Sequence, residues 1–291
     1  MLSTIQNERL TLTVDTLGAQ MMSLRSADAV EYLWQGDPTY WQDRAPVLFP
    51  FIGRLTNNSY RFLGKVYPME IHGFAAGSEF SLVEQTGDRL VLKMNSTTAT
   101  LPRYPFDFSL LVTYALQGNT VQVSYQVHNL SGQTMPFGIG GHPGFNVTLV
   151  PNESFEDYEL EFSCACQPDR VGFTPAVYLS GQDTAYPLED GRKLSLKHDL
   201  FNEDAVILKN MAREVTLRSK LSGRGVRVSY PHMPYLGIWH WPNTDAPYVC
   251  IEPWSSLPSR QDVVEEFSCK SDLIQLPPDR IYKNMWTISL L

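Results

Sequence analysis

The sequence predicts an all-β protein of mostly antiparallel strands, arranged as a large sandwich or barrel. Three observations support this prediction. Apolar and polar residues alternate with a period of two in several short runs, and turn-forming residues separate these runs. No long segment shows the period of 3.6 residues that is typical of a helix, and no strand–helix–strand rhythm indicates a parallel sheet.

The clearest alternation lies at Val121–Val127, where valine and tyrosine alternate with polar residues. In Leu10–Val14, leucine and valine alternate with threonine. Such a pattern is typical of strands with one face on a core and the other toward water. Shorter runs of the same kind lie at Tyr158–Phe162, Val215–Leu217, Val226–Tyr230 and Trp286–Leu290.

The turn-forming residues and the lack of linkers predict short turns between strands and one domain rather than several. Turn-forming pairs are Gly118-Asn119, Ser131-Gly132, Asp190-Gly191 and Ser222-Gly223. No linker, repeat or low-complexity tract is visible, so a single domain over residues 1–291 is expected. Two long irregular stretches, Gln35–Tyr60 and Cys166–Leu200, interrupt the strands, and stretches of this kind tend to carry function.

Composition restricts the partners and the compartment. The chain has 291 residues, a net charge of −8 and a pI of about 5.3, so nucleic acid is an unfavourable partner. The four cysteines show CxC spacing at Cys164 and Cys166 but no paired metal-binding spacing, which predicts reduced thiols. Neither a signal peptide nor an apolar membrane span is recognisable, so we expect a cytoplasmic protein without membrane contact.

The segment Gly140–Phe145 is the first place where the sequence indicates chemistry. Glycines at 140, 141 and 144 and a proline at 143 surround His142. This setting predicts a tight backbone turn that leaves the imidazole with little side-chain cover. A histidine is suited to proton transfer because its ordinary pKa of about 6.5 lies near cellular pH. A histidine that merely fills a loop is the alternative.

Glu252 is the second such place. It follows the apolar run Tyr248–Ile251 and precedes Pro253, which puts a carboxylate at the end of a buried strand. Burial disfavours the charged form, so such a group generally has a partner or a chemical task. A structural carboxylate that pairs with an arginine is the alternative interpretation.

Two further segments have the same mixture of glycine, aromatic and ionisable residues. His72 lies in Ile71–Phe74 and Arg54 in Phe49–Arg54. The planar guanidinium of Arg54 suits vicinal hydroxyls or a carboxylate, although a structural ion pair would also explain it. Aromatic residues that could stack on a sugar ring are Trp34, Trp41, Phe145, Trp239, Trp241 and Trp254.

Other chemistries have weaker support. The HxH, HExxH, GxSxG and GxGxxG patterns are all missing, which disfavours a dedicated zinc site, a serine hydrolase and a nucleotide site. A metal triad of His72, His142 and Glu252 stays open as a minor alternative. A glycosidase would need two carboxylates, nominally Glu252 and Asp204, and would leave His142 unexplained.

Taken together, these segments resemble the aldose 1-epimerase, or galactose mutarotase, family in its shorter bacterial branch. The shared features run in order along nearly the whole chain: FPFIGRL, HGFA, GGHPGFN, CIEPW and a final strand after Leu276–Arg280. The resemblance implies a galactose-mutarotase-like β-supersandwich, which agrees with the period-two pattern. It also implies an isomerase that interconverts the α and β anomers of an aldose without a metal or other cofactor.

The resemblance also implies roles for individual residues. Glu252 resembles the general base and His142 the general acid, while His72 and Arg54 resemble residues that bind the sugar hydroxyls. The family has an aspartate between acid and base; Asp204 is preferred over Asp199 because an apolar strand follows it directly. The longer members carry Asn-His-x-Tyr-Phe where this chain has Gly141–Phe145, a departure that bears on sugar preference.

Three alternatives to a simple aldose epimerase stay open at the level of sequence. They are a non-catalytic sugar-binding protein, an epimerase for a hexose 6-phosphate with Arg54 and Arg44 as phosphate ligands, and a lyase or hydrolase of related fold. The surplus of acidic residues disfavours a phosphorylated sugar. The expected partner is a small sugar, and the chain is expected to be a monomer or a homodimer.

Overall fold

The computed structural model describes residues 1–291 and confirms the all-β prediction. Besides the strands it contains only three short 3-10 helices, Thr56–Asn58, Phe155–Asp157 and His198–Phe201. The strands are β1 (Leu2–Gln6), β2 (Leu10–Asp15), β3 (Gln20–Ser26), β4 (Val47–Leu48), β5 (Ser59–Phe62), β6 (Lys65–Pro68), β7 (Ser81–Gln85), β8 (Arg89–Asn95), β9 (Phe108–Gln117), β10 (Thr120–Asn129), β11 (Met135–Phe137), β12 (Gly140–Gly141), β13 (Gly144–Asn146), β14 (Tyr158–Phe162), β15 (Asp169–Arg170), β16 (Thr184–Ala185), β17 (Lys193–Ser195), β18 (Val206–Lys209), β19 (Glu214–Ser219), β20 (Gly225–Ser229), β21 (Tyr235–Trp239), β22 (Tyr248–Trp254), β23 (Ile274–Leu276) and β24 (Ile281–Leu290). No helix is long and apolar enough to cross a membrane.

Two large antiparallel sheets form the body of the molecule. The first has nine strands in the order β17-β14-β19-β20-β24-β10-β9-β8-β7. The second has the order β16-β15-β18-β21-β22-β12-β4, with β13 also paired to β22. A three-stranded sheet, β1-β2-β3, and two pairs, β5-β6 and β11-β23, complete the structure.

The alternating runs in the sequence become the strands of the nine-stranded sheet. In β10, every second residue from Val121 to Asn129 is buried, and the residues between them are partly exposed. This strand pairs over its whole length with β9 and over nine residues with β24. Because strand side chains alternate between the two faces, the apolar set is directed onto a single core.

The apolar faces of the two large sheets share that core. One cluster of 65 buried hydrophobic residues includes Val123 and Trp286 from the first sheet and Val249 and Ile251 from the second. Tyr125 donates its hydroxyl to the carbonyl of Gly140 across the interface, at 3.3 Å. Burial of apolar surface contributes about 25 cal/mol per Å², so this shared core supplies the main stabilisation of the sandwich.

The segments Phe49–Arg54 and Ile71–Phe74, which the sequence analysis singled out, are held against each other. Gly73 has a φ of +78°, and a Cβ at this position would lie 2.3 Å from the carbonyl oxygen of Phe49. That oxygen accepts the backbone N–H groups of Phe74 at 2.9 Å and Ala75 at 3.1 Å. Only glycine permits both the left-handed backbone and this approach. The contact sets the position of His72.

We expect Gly73→Ala to lower the free energy of unfolding by roughly 2–5 kcal/mol, as the combined cost of left-handed backbone strain and overpacking. Gly64→Ala is the matched control, because Gly64 has the same φ of +78° but nothing within 4 Å of its added Cβ. It should lose only about 1–2 kcal/mol from backbone strain. Urea unfolding at 25 °C measures both, and equal losses would contradict the steric argument.

Candidate active site

A cavity of about 320 Å³ opens at the second large sheet, and all five residues singled out by the sequence line it. They are Arg54, His72, His142, Asp204 and Glu252, which come from four distant parts of the chain. Concave sites of this size with a few convergent polar groups are the usual form of small-molecule sites. The cavity therefore qualifies as the candidate active site.

His142 lies at a break in the strand that runs beside β22. The short strands β12 and β13 both pair with β22, and His142 and Pro143 form the break between them. The backbone N–H of His142 donates to the carbonyl of Pro46 at 3.1 Å, which anchors the break to the chain leading into β4. The imidazole is thus held by a rigid sheet rather than by a free loop.

The expectation of an uncovered His142 in a tight glycine turn is wrong. The histidine is 9% exposed, and its ring lies 4.9 Å from that of Trp41 and 5.5 Å from that of Trp239. The neighbouring glycines instead admit close neighbours: a Cβ on Gly141 would lie 2.6 Å from the indole of Trp286. Close approach of neighbouring residues, rather than a turn, explains why small residues surround the histidine.

Glu252 lies within β22, which continues through Pro253 to Trp254 instead of ending at the carboxylate as expected. Ile251 and Ser255 donate their backbone N–H groups to Pro143 and Ile139, both at 3.1 Å. The N–H that Pro253 lacks would point to the same side, into the break that carries His142. A proline is tolerated in this central strand because no ladder hydrogen bond is lost there. The break between β12 and β13 therefore accommodates both His142 and the proline that follows Glu252.

The imidazole and the carboxylate meet at the cavity. Nε2 of His142 lies 3.2 Å from Oε2 of Glu252, and Glu252 is 1% exposed. The angle between the groups is not that of a hydrogen bond. Oε2 of Glu252 and Nδ1 of His142 are both buried without a hydrogen-bond partner. Unsatisfied buried polar atoms cost about 1–3 kcal/mol each, so a ligand that satisfies them gains binding free energy.

Burial shifts the two pKa values in opposite directions. It raises the pKa of Glu252 well above its ordinary value, and the negative charge of Asp204 adds to this shift. It lowers the pKa of His142 well below 6.5, and the neighbouring His72 adds to that shift. The uncharged arrangement, with the proton on Glu252, is favoured in the free cavity.

His72 lies directly beside this pair. Its Nδ1 accepts the backbone N–H of Gly53 at 3.2 Å, and its ring is 5.6 Å from that of His142. Burial, aided by the charge of Arg54, lowers the pKa of His72 to about 4. Because Nδ1 is an acceptor, the proton of the neutral ring is on Nε2. His72 thus offers a neutral N–H donor.

Two of the five residues have strained backbones. His72 has a φ of +62° and Asp204 a φ of +81°, both in the left-handed region. Non-glycine residues there cost of order 1–3 kcal/mol and concentrate at functional sites. Asp204 lines the cavity, whereas Asp199, the alternative aspartate, lies in a 3-10 helix and does not. Asp204 is therefore favoured over Asp199 as the active-site aspartate, because it lines the cavity and has a strained backbone.

The two irregular stretches singled out by the sequence both reach the cavity. Gln35–Tyr60 contributes Trp41 and Arg54, and Cys166–Leu200 contributes Arg170, Phe173 and Val177, which sequence reasoning did not name. The only signal for these last three was the length of their irregular stretch. Of the six aromatic residues considered for stacking, four line the cavity: Trp41, Trp239, Trp241 and Trp254.

The structure does not match two other sequence-based alternatives, which are Arg44 as a phosphate ligand and a metal triad that includes His72. The guanidinium of Arg44 does not line the cavity, because its Nη1 donates to the carbonyl of Met22 at 2.5 Å and to Oε1 of Gln35 at 2.8 Å. For the metal triad, the three ligand atoms that cluster belong to His142, Cys250 and Glu252 rather than to His72.

The depressed pKa of His72 predicts a loss of stability in acid. Between pH 6.5 and about 4, the unfolded chain takes up a proton at this histidine and the folded protein does not. The free energy of unfolding should therefore fall by at most about 3 kcal/mol on account of His72 as the pH drops through this window. Urea titrations from pH 7 to 4 measure the slope.

His72→Asn keeps an acceptor for the N–H of Gly53 and should flatten this slope. His232→Asn, at an exposed histidine outside the cavity, is the matched control and should leave it unchanged. An unaltered slope in the His72 variant would contradict the assignment.

Comparison with known proteins agrees with the family resemblance and the fold. The family model described as aldose 1-epimerase matches residues 1–283. Protein LacX from a plasmid of Lactococcus lactis subsp. lactis is 36% identical over 296 residues, which cover 99% of this chain and 98% of that protein. The uncharacterized protein YihR of Escherichia coli is 29% identical over 122 residues, 38% of each chain.

Solved structures agree equally well. A galactose mutarotase related enzyme from Lactobacillus acidophilus superposes with a TM-score of 0.95 at 31% identity, covering 100% of this chain and 97% of that one. A galactose mutarotase-like protein from Lactobacillus casei gives a TM-score of 0.94 at 32% identity, with both chains fully covered. The fold is thus the galactose-mutarotase-like sandwich. Because the family model spans nearly the whole chain, the protein belongs to the aldose 1-epimerase family.

Proposed function

We propose that the protein is an aldose 1-epimerase that interconverts the α and β anomers of an unphosphorylated aldose. Glu252 is the general base and His142 the general acid. The observation that carries the proposal is the buried contact of 3.2 Å between Nε2 of His142 and Oε2 of Glu252 at the cavity. Two proton-transfer groups that face each other in a sugar-sized cavity meet the needs of this reaction.

The reaction requires two coupled proton transfers. An aldopyranose opens when its C1 hydroxyl loses a proton and its ring oxygen gains one, so that the C1–ring-oxygen bond breaks and an aldehyde forms. Rotation about C1–C2 presents the other face of the aldehyde, and ring closure returns both protons. Acid and base groups in place contribute about 10²–10⁴-fold each. During closure Glu252 and His142 exchange roles.

A bound sugar would stabilise the charged forms of Glu252 and His142, which burial disfavours in the free cavity. The productive form needs the proton on His142 and the negative charge on Glu252, whereas burial favours the reverse. A C1 hydroxyl that donates a hydrogen bond to Glu252 stabilises its carboxylate and lowers its pKa. The ring oxygen accepts from the imidazolium of His142. Sugar binding therefore moves the proton to the residue that must deliver it.

The remaining cavity residues suit a polyhydroxylated ring. His72 presents a neutral N–H donor, Arg54 a fork of donors, and Asp204 a carboxylate acceptor. A sugar hydroxyl therefore finds a partner whether it accepts or donates a hydrogen bond. Trp41 and Trp239 flank His142 and can cover the apolar face of the ring. Trp241, which is 46% exposed, extends this aromatic wall to the cavity mouth.

The charges of the cavity favour a neutral sugar over a hexose 6-phosphate. Four carboxyl groups, those of Asp43, Glu203, Asp204 and Glu252, line it against two guanidinium groups, those of Arg54 and Arg170. Arg170 already faces Glu203, with Nη2 3.8 Å from Oε2. A dianionic phosphate would meet more negative than positive charge, which is unfavourable in a partly enclosed site.

An anomer-exchange NMR experiment tests the proposal directly. With glucose and galactose as neutral aldoses and their 6-phosphates as the contrast, catalytic amounts of protein should accelerate exchange of a neutral sugar and not of the phosphates. Binding without acceleration would identify a sugar-binding protein, and acceleration of a phosphate alone would identify a sugar-phosphate epimerase. Either result would overturn the proposal.

Glu252→Gln and His142→Asn should each reduce kcat for mutarotation by about 10²–10⁴-fold, because each removes one proton-transfer group. Polarimetry after dissolving a pure anomer measures the rate, and circular dichroism verifies the fold. Glu159→Gln is the matched control: Glu159 is also buried, at 5% exposure, but belongs to the other large sheet. Near wild-type rates in either site variant would refute its assigned role.

Trp241→Ala should raise KM about tenfold and leave kcat nearly unchanged, because loss of an aromatic contact worth roughly 1.4 kcal/mol affects binding and not the proton transfers. Trp241→Phe, which keeps an aromatic face, should lie close to wild type. Leu221→Ala removes a side chain that is also exposed, at 68%, but does not line the cavity, and serves as the control. A fall in kcat alone would contradict a stacking role.

A further inference from the structure

Cys250 lies beside the proposed acid–base pair but has no part in the proposed reaction. It is two residues before Glu252 in β22, so both side chains leave the same face of the strand. The Cys250 Sγ, one carboxylate oxygen of Glu252 and one ring nitrogen of His142 all lie within 4.8 Å of one another. Cys250 is fully buried and does not line the cavity.

These three donors form a ligand set for a borderline-soft divalent cation. Zinc binds thiolate, imidazole and carboxylate at roughly 2.0–2.3 Å, and open sites commonly have three protein ligands and one free position. Tetrahedral geometry then separates the donor atoms by about 3.3–3.8 Å. The His142–Glu252 separation of 3.2 Å already meets this spacing, and the thiol is close enough to reach it by a side-chain adjustment.

A second, independent observation points to a ligand at this place. Oε2 of Glu252, the oxygen that faces Nε2 of His142, is fully buried and has no hydrogen-bond partner. Such an atom carries an unfavourable desolvation cost that a bound cation would offset. The protons on Cys250 and Glu252 are no obstacle, because zinc coordination displaces them and they are released to solvent.

We propose that His142, Cys250 and Glu252 form an inhibitory Zn²⁺ site that switches off the acid–base pair when it is occupied. The coordinated nitrogen and oxygen lose the lone pairs that would carry the proton, so sugar and zinc exclude each other functionally. The inhibitory effect rests on the proposed function, whereas metal binding itself does not. Hard cations such as Mg²⁺, which prefer oxygen ligands, do not suit the thiolate and imidazole.

Binding is tested without any reference to activity. Isothermal titration of the metal-free protein with ZnCl₂ should give one tight site whose affinity rises with pH, since the ligands must lose protons. Co²⁺ in place of zinc should add a thiolate-to-cobalt absorption band. Cys250→Ser keeps the volume of the side chain and should abolish the band and weaken zinc binding at least roughly tenfold, the loss that even an outer-shell change causes.

Cys166→Ser is the matched control, because Cys166 is also a partly buried free cysteine but lies outside the cluster of His142, Cys250 and Glu252. It should leave the cobalt band and the zinc affinity at Cys250 unchanged. Mg²⁺ should neither bind at this site nor displace zinc. A fold check by circular dichroism separates ligand loss from misfolding in the Cys250 variant, and Cys250→Ala provides a second substitution.

The inhibitory effect of zinc is tested by measuring the rate of mutarotation. Zinc should inhibit the wild type and Cys166→Ser, EDTA should restore both, and saturating sugar should raise the zinc concentration needed. Cys250→Ser should keep its basal rate and resist zinc at least tenfold better than the wild type. Absent zinc binding, or binding and inhibition that ignore Cys250, would overturn this site. A wild type that binds zinc at Cys250 but never accelerates anomer exchange would instead overturn the proposed function.

Discussion

The burial of two ionisable side chains against each other is the constraint on which the rest of the site depends. His142 and Glu252 are 9% and 1% exposed, and their facing atoms are 3.2 Å apart. Water no longer stabilises either charge, so the two groups compete for a proton and each is sensitive to whatever enters the cavity. The neighbouring charges of Asp204 and Arg54 and the neutral ring of His72 derive their influence from this burial.

The scaffold holds that pair through a local defect in an otherwise regular sheet. The break between β12 and β13 carries His142, and the proline of β22 lies opposite the break, where a missing N–H causes no loss. Gly141, next to the break, admits the indole of Trp286 from the other sheet. Regular pairing on both sides keeps the defect rigid, which suits residues that must keep a fixed separation during proton transfer.

Three residues that line the cavity also have strained backbones. His72 and Asp204 have left-handed backbones, and Val177 at the cavity edge has a φ of +63°, which is rare for a β-branched residue. Apolar burial in the shared core of the two large sheets supplies the stability of the fold. The site uses part of that stability to offset unfavourable backbone conformations and unsatisfied polar atoms.

The sequence by itself determined the all-β class, because alternation is a local property that each strand displays on its own, as in Val121–Val127. It also singled out His142, Glu252, His72 and Arg54, since ionisable residues among glycine, proline and aromatics stand out without any structure. Only the tertiary structure decided how buried His142 is, which of Asp199 and Asp204 faces the cavity, and that Arg170 and Cys250 lie near the pair. Those properties depend on contacts between segments far apart in the chain, and no local pattern records such contacts. The protonation of His142 and Glu252 also depends on the tertiary structure. Residue type sets only the ordinary pKa, and burial and neighbouring charges shift it.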